Sequence, residues 1–293
     1  MIFFPRKLLT VILFFTAESV FSQSPEWQEC FSLQAGASRA FNKADYPLAA
    51  NKYAQMDSVY GRIVDYADMR KYCIASVMCG DTERVKNTAL RLTQYKCFDI
   101  TFFENPIFDA YKTESWWPLC DSLSQLYGHK DRQYIDTLRK LQLRDSIVRY
   151  HFIHGKTKEI RDSFRLLMRA MDSVNTHILS NLIKEYGLPT WSNVGYEGFH
   201  SAYILIMHID SDLQDRLINE FMPLMEQGDI PRNKMAYFID RSLVRKKEPQ
   251  RYGCQTWRGG SQPIEDIEHL NDRRESMWLW PTDISKIKIV EYD

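Results

Sequence analysis

Residues 158–189 read KEIRDSFRLLMRAMDSVNTHILSNLIKEYGLP, and this stretch decides the fold class. Ile160, Phe164, Leu167, Met171, Val174 and Ile178 recur at alternating spacings of four and three, which lays them along one face of an α-helix. Gly187 supplies a C-terminal turn and Pro189 blocks continuation, so a helix is expected over 158–186. Asp172 and Asn175 flank the apolar face beside Met168 and Leu179.

The preceding segment, 131–153, carries a second stripe of the same period: Tyr134, Leu138, Leu141, Asp145, Val148 and Phe152. Asp145 interrupts it, and a carboxylate on an apolar face must find a partner or stay protonated. Two adjacent helices therefore each turn an acid toward packed surface. Either these acids meet arginines or backbone groups and fix helix register, or they form a polar floor under a binding site.

The N-terminal half continues the helical theme. Residues 27–58 read as two helices broken near Asn42-Lys43-Ala44-Asp45, and residues 66–95 as two more broken at Cys79-Gly80-Asp81. Asp45 and Asp81 lie 36 residues apart, and at that offset Ala49 aligns with Val85 and Tyr53 with Ala89. The spacing resembles the tetratricopeptide-type repeat, whose period is about 34 residues. Such hairpins imply a concave surface for a peptide or protein partner. The aromatic run Phe102-Phe103 to Phe108, with Trp116-Trp117, is expected to cap this array; an exposed peptide-binding surface is the sharper alternative. Gly128-His129-Lys130-Asp131 marks the expected boundary between a helical region, 23–128, and a second helical domain, 129–293. A mainly α protein with at most a short β element follows.

At the start of the chain, Arg6 and Lys7 precede the apolar run Leu8–Phe15, and Val20-Phe21-Ser22 offers a cleavage site. Residues 1–22 are thus expected to be a signal peptide, which places the mature protein in the periplasm or outside the cell, with no membrane span after cleavage. The 38 basic and 38 acidic residues balance, and no basic run occurs, which argues against a nucleic-acid binder. Six cysteines, Cys30, Cys73, Cys79, Cys97, Cys120 and Cys254, contain no C-x-x-C pair, so neither a zinc site nor a thioredoxin-type motif is expected, and no metal or cofactor. One or two disulfides within 73–120, or buried thiols, are the readings left open.

Beyond Pro189, Thr190–Gly198 reads as a loop and Ala202–Met207 as a buried helix bracketed by His200 and His208. Ser211 and Gln214 have capping-box spacing, with Asp210 just before them. Residues 232–246 form another helix, placing Asp240 with Ala236 and Leu243 and followed by Arg241. Residues 250–255 look irregular, and Ile287-Lys288-Ile289 suggests a short strand.

Taken in order, Asp145 with Arg149, Asp172 with Asn175, Gly187-Leu188-Pro189, His208-Ile209-Asp210, Asp240-Arg241, Gln250-Arg251-Tyr252-Gly253-Cys254-Gln255 and Arg273-Arg274 form a pattern. With it, residues 131–290 resemble an uncharacterised bacterial family, a domain of unknown function often preceded by helical repeats. The resemblance implies a shared fold and a shared pocket, and no activity. Leu188, Met207 and Cys254 depart from the Trp, Gln and Thr expected there, and no nucleophile is assigned to position 254.

The candidate site joins His208, Asp240 and Gln255 with Asp145, Asp172, Asp210, Arg241 and Tyr252. Two functions fit it. A binding module would take a peptide, a protein or a small ligand. A periplasmic hydrolase would use His208 as acid or base and Asp240 or Asp145 to orient it. Arg241 would then hold an anionic group, and Gln255 would donate to an oxyanion. No nucleophile elbow, HExxH, phosphate-binding loop or dinucleotide fingerprint accompanies these residues.

Overall fold

The computed structural model describes residues 25–60, 66–128, 130–257 and 259–292. The signal-peptide reading of residues 1–22 lies outside them. The described chain is mainly helical, and no helix in it is long and apolar enough to cross a membrane.

Four helices open it: α1 (Pro25–Asn42), α2 (Tyr46–Tyr60), α3 (Tyr66–Met78) and α4 (Thr82–Leu92), each packed on the next in chain order. The two aspartates 36 residues apart do the same work. Asp45 accepts from the Leu48 amide at 3.3 Å, and Asp81 from the Arg84 amide at 3.1 Å, each satisfying a helix-start donor. Ala49, Tyr53, Val85 and Ala89 are all fully buried. The aromatic segment forms two 3-10 turns, Ile100–Glu104 and Pro106–Tyr111, before α5 (Trp117–Tyr127). Phe103 meets Phe108 edge-on at 5.1 Å and Trp117 at 5.4 Å, so these rings are core. Among the described residues no disulfide joins any of the six cysteines, and burial pushes Cys73 and Cys120 up to about 12.

Helices α6 (Arg132–His154) and α7 (Lys158–Tyr186) form a long hairpin, started by caps from Asp131 and Thr157. On α6 the buried stripe is the expected one: Tyr134, Leu138, Leu141, Asp145 and Val148. On α7 it is not. Ile160, Leu167 and Val174 are exposed, while Asn175, Leu179 and Leu182 are buried. The hairpin has two apolar stripes on this helix, and the core covers the one that begins at Asn175.

Three further expectations are corrected. The segment after Pro189 is not a loop: Thr190 caps α8 (Trp191–Ile206), which kinks at Gly195, where φ is 66°. That left-handed glycine lets the Tyr196 amide reach the Cys97 carbonyl at 3.0 Å. The cap of α9 (Ser211–Glu226) is Asp210, which accepts from the Leu213 amide at 2.9 Å, and Ser211 is its first helical residue. α10 (Arg232–Arg245) follows, then β1 (Thr256–Trp257) paired antiparallel with β2 (Gly260–Ser261), and α11 (Leu270–Ser276). Instead of a strand over 287–289, Ile289 makes one isolated bridge to Ser261.

Two hydrophobic clusters result, one built from Cys30 to Cys120 and one from Tyr134 to Leu279. Trp191 packs against both. Lys130 fastens the junction by donating to the Lys96 carbonyl at 2.8 Å and the Ser192 carbonyl at 3.0 Å.

Candidate functional site

A cleft of about 830 Å³ opens where α7, the end of α8 and the start of α9 converge. Asp172, Thr176 and His177 line it from α7, and His208, Asp210 and Arg216 from the other side. The Thr176 hydroxyl donates to the carbonyl of Asp172 at 2.8 Å and accepts from the Asp210 amide at 3.2 Å, which ties the α9 start to α7.

A charged layer underlies this cleft. Asp145, almost fully buried on α6, accepts from Arg149 Nε at 2.8 Å, and the other end of the same guanidinium donates to Asp172 on α7. One arginine thus bridges two carboxylates and pins the hairpin in register. Asp145 has the partner that its place on an apolar stripe demands. Burial pushes the Asp172 carboxyl up, and Arg149 draws it back.

Helix α10 brings two more arginines. Arg245 donates to Gln214 Oε1 at 3.0 Å and to the Ile209 carbonyl at 2.9 Å, both neutral acceptors. Gln214 in turn donates to the Ile206 carbonyl at 2.6 Å. Arg241 makes no hydrogen bond or ion pair among the described residues, and its Nε is buried without a partner. Burial, then Arg245 and Arg149, lower its pKa, and Asp172 opposes them. His208 shares this environment: burial, followed by Arg149, Arg241 and Arg245, pulls it down to about 3. At neutral pH it is an uncharged imidazole with one donor and one acceptor.

The structure divides the remaining candidates. Asp240 is fully buried and accepts from the backbone amides of Arg251 at 2.8 Å, Tyr252 at 3.1 Å and Cys254 at 2.8 Å. It clamps the 250–255 loop onto α10. Burial raises its pKa, and the three amides hold it back. Gln255 donates through its side chain to the Tyr237 carbonyl at 3.3 Å and through its amide to Gln250 Oε1 at 2.6 Å. The Tyr252 carbonyl accepts from Arg274 at 2.6 Å, and the Arg251 carbonyl from Arg273 at 2.7 Å. Asp240, Tyr252 and Gln255 therefore meet in one polar clamp, whereas Asp172, His208 and Asp210 line the cleft, with Asp145 behind Asp172 through Arg149 and Arg241 close enough to His208 to lower its pKa. His200 lies elsewhere, in an aromatic cleft with Lys234.

Sequence reasoning missed Arg245, Gln214 and Thr176. Arg241 and Arg245 are spaced i, i+4, which aligns them on one face of α10, and that spacing was the available signal. Among the described residues no group of three His, Cys, Asp or Glu side chains could hold a metal ion.

Residues 139–283 match the model of a family of unknown function, DUF6624. The match contains every residue of both the cleft and the clamp. No curated protein and no solved structure matches the chain.

Proposed function

We propose that the His208 cleft binds a small ligand through an anionic group, a carboxylate or a phosphate, and that the protein is a ligand-binding module. The observation that carries this reading is Arg241. A largely buried guanidinium without a counter-charge is unfavourable, and the fold keeps it beside two other arginines. Its planar fork of donors matches a carboxylate or phosphate edge. Arg149 is already neutralised by Asp145 and Asp172, so the cations left to attract an incoming anion are Arg169 and Arg216 on the cleft lining and Arg241 and Arg245 behind His208. His208, neutral beside them, would supply a further donor or acceptor and orient the ligand.

The hydrolase reading is the weaker one. An imidazole with a pKa near 3 is a poor general base at neutral pH. Asp240 and Asp145, which would have to orient it, are engaged by backbone amides and by Arg149. The signal-peptide pattern of residues 1–22 supports a periplasmic or secreted setting. The tetratricopeptide-like spacing of the first four helices supports a separate surface for a peptide or protein partner.

Isothermal titration of the full chain with inorganic phosphate and with small carboxylates tests the proposal, using Arg241→Met beside the wild type. Binding should weaken at least about tenfold in the variant, as expected for the loss of a charged hydrogen-bonding partner. Stability should stay level or rise by about 1 kcal/mol, because an uncompensated buried charge is replaced by an apolar side chain of similar reach. Unchanged affinity, or no binding of any anion by the wild type, overturns the reading.

A further inference from the structure

A second cleft, of about 210 Å³, lies away from the arginines, where α1 meets α8, α10 and the chain after α11. Phe31 from α1, Trp191 and Phe199 from α8, and the stretch Trp278-Leu279-Trp280 supply its apolar walls. Because Phe31 precedes residue 139, this site is built jointly by the matched segment and the helices before it.

Three observations single it out. The first is a braced, open indole. Trp280 is 44% exposed, and the buried Phe31 ring supports it at 4.7 Å with a 45° tilt. The fold thus holds a flat apolar platform at the cleft and leaves much of it uncovered. The second is backbone strain in the same wall. Trp278 sits at φ 53°, in the left-handed region that a bulky side chain rarely adopts. Such strain persists where surrounding structure enforces it, and it concentrates at binding sites.

The third is a polar rim with unused hydrogen-bonding capacity. His200 on α8 borders the cleft together with Asn233 and Tyr237, which are spaced i, i+4 on α10. The two helices abut there, with Tyr203 meeting Tyr237 edge-on at 6.3 Å. None of the three rim side chains makes a hydrogen bond among the described residues. His200 is exposed, and the polar atoms of Asn233 and Tyr237 are not sealed from solvent. Burial, then Lys234, lower the pKa of His200, so its imidazole is neutral. An amide, a phenol hydroxyl and a neutral imidazole can each both donate and accept.

Size and charge narrow the occupant. An apolar cavity of about 150 Å³ holds benzene, so about 210 Å³ admits one six-membered ring with substituents. No acid lines the cleft among the described residues, and its one ammonium, Lys234, lies over the Tyr203 ring at 4.5 Å. A cation therefore finds no counter-charge, and an anion finds only an ammonium already engaged. An aromatic ring with a single heteroatom would satisfy one rim group. A pyranose has a flat C–H face for the indole, and a set of hydroxyls that donate and accept as the rim does.

We propose that this cleft binds one pyranose ring of an uncharged sugar, with a C–H face on Trp280 and hydroxyls on Asn233, Tyr237 and His200. The proposal stands apart from the anion site, and its test separates the two.

Calorimetric titration of the full chain with glucose, galactose, mannose and N-acetylglucosamine tests it, with sorbitol and indole as controls. Sorbitol keeps the hydroxyls and lacks the ring; indole keeps a flat ring and lacks the hydroxyls. At least one of the sugars should bind at millimolar concentration, and sorbitol should not. Trp280→Ala should weaken that sugar about tenfold or more, and Asn233→Leu and Tyr237→Phe each about threefold to tenfold, the range expected for one hydrogen bond. Melting curves confirm that the variants fold, and the two rim variants keep the test valid if Trp280→Ala does not. Arg241→Met should leave sugar binding unchanged. No binding of any of the four sugars, sorbitol binding as tightly as a sugar, or undiminished affinity in the rim variants overturns the proposal. Binding of indole without any sugar overturns it in favour of an aromatic occupant, and loss of sugar binding in Arg241→Met overturns it in favour of the His208 cleft.

Discussion

Replacing Asp240 by alanine should be among the most damaging single changes in the second core. Its carboxylate is fully buried and receives three backbone amides, at 2.8, 3.1 and 2.8 Å. Hydrogen bonds to a charged group are worth about 1.5–3 kcal/mol each. Their sum overstates the loss, because the variant also removes a buried charge whose desolvation opposes folding, and because residues 252–255 are half-buried and can turn amides toward water. An expected cost of about 3–4 kcal/mol follows for Asp240→Ala. Asp240→Asn keeps one acceptor oxygen and should cost about 1–2 kcal/mol. Urea denaturation, followed by circular dichroism and by tryptophan emission, reads both. The alanine variant should shift the midpoint down on both signals, since the clamp ties the tryptophan-bearing C-terminal chain to α10. A midpoint free energy within about 0.5 kcal/mol of wild type would refute the clamp. It would also return Asp240 to the pool of catalytic candidates.

Three further outcomes are expected. His208 resists protonation down to about pH 3 in the folded chain, against about 6.5 when unfolded. The unfolded chain therefore binds the extra proton between those values, and stability is lost as pH falls through that window, by up to about 1.4 kcal/mol per unit. Denaturation midpoints at pH 7 and pH 5 should differ less in His208→Gln than in the wild type. Arg149→Met strands the almost fully buried Asp145 without its cation and should cost about 3–5 kcal/mol in thermal or urea unfolding; adding Asp145→Leu should recover most of that loss. Asp210→Ala removes the α9 cap and should cost about 1 kcal/mol, measured the same way, with no change in the wavelength of tryptophan emission.

Helix positions were largely legible because their punctuation is local. Asp45, Asp81, Gly187 and Pro189 each act on the nearest turn, and the helices begin and end where those residues say. The face of α7 was not legible. Its two stripes, one through Ile160, Leu167 and Val174 and one through Asn175, Leu179 and Leu182, have the same period, and only tertiary packing decides which is covered. The start of α8 was hidden by Gly195, which looks like a loop residue and instead kinks a helix already capped by Thr190. At the site, the residue types pointed to polar chemistry, and the division between cleft and clamp did not show. Asp240 and Arg241 are neighbours in sequence, yet 100° of helical rotation sends one to the backbone of a loop and the other toward His208.

Trp191 belongs to both hydrophobic clusters, and family similarity begins at residue 139, partway along α6. The border of kinship is thus not a border of folding. A segment cut at residue 139 would turn Trp191 and Tyr196 outward, lose the Lys130 ties, and lose the α1 wall of the aromatic cleft. The early helices are therefore part of what solvates, or rather keeps dry, the domain that follows. Any chain carrying these two aromatic residues without such helices has to cover them by other means, through another domain, a second subunit or a bound surface.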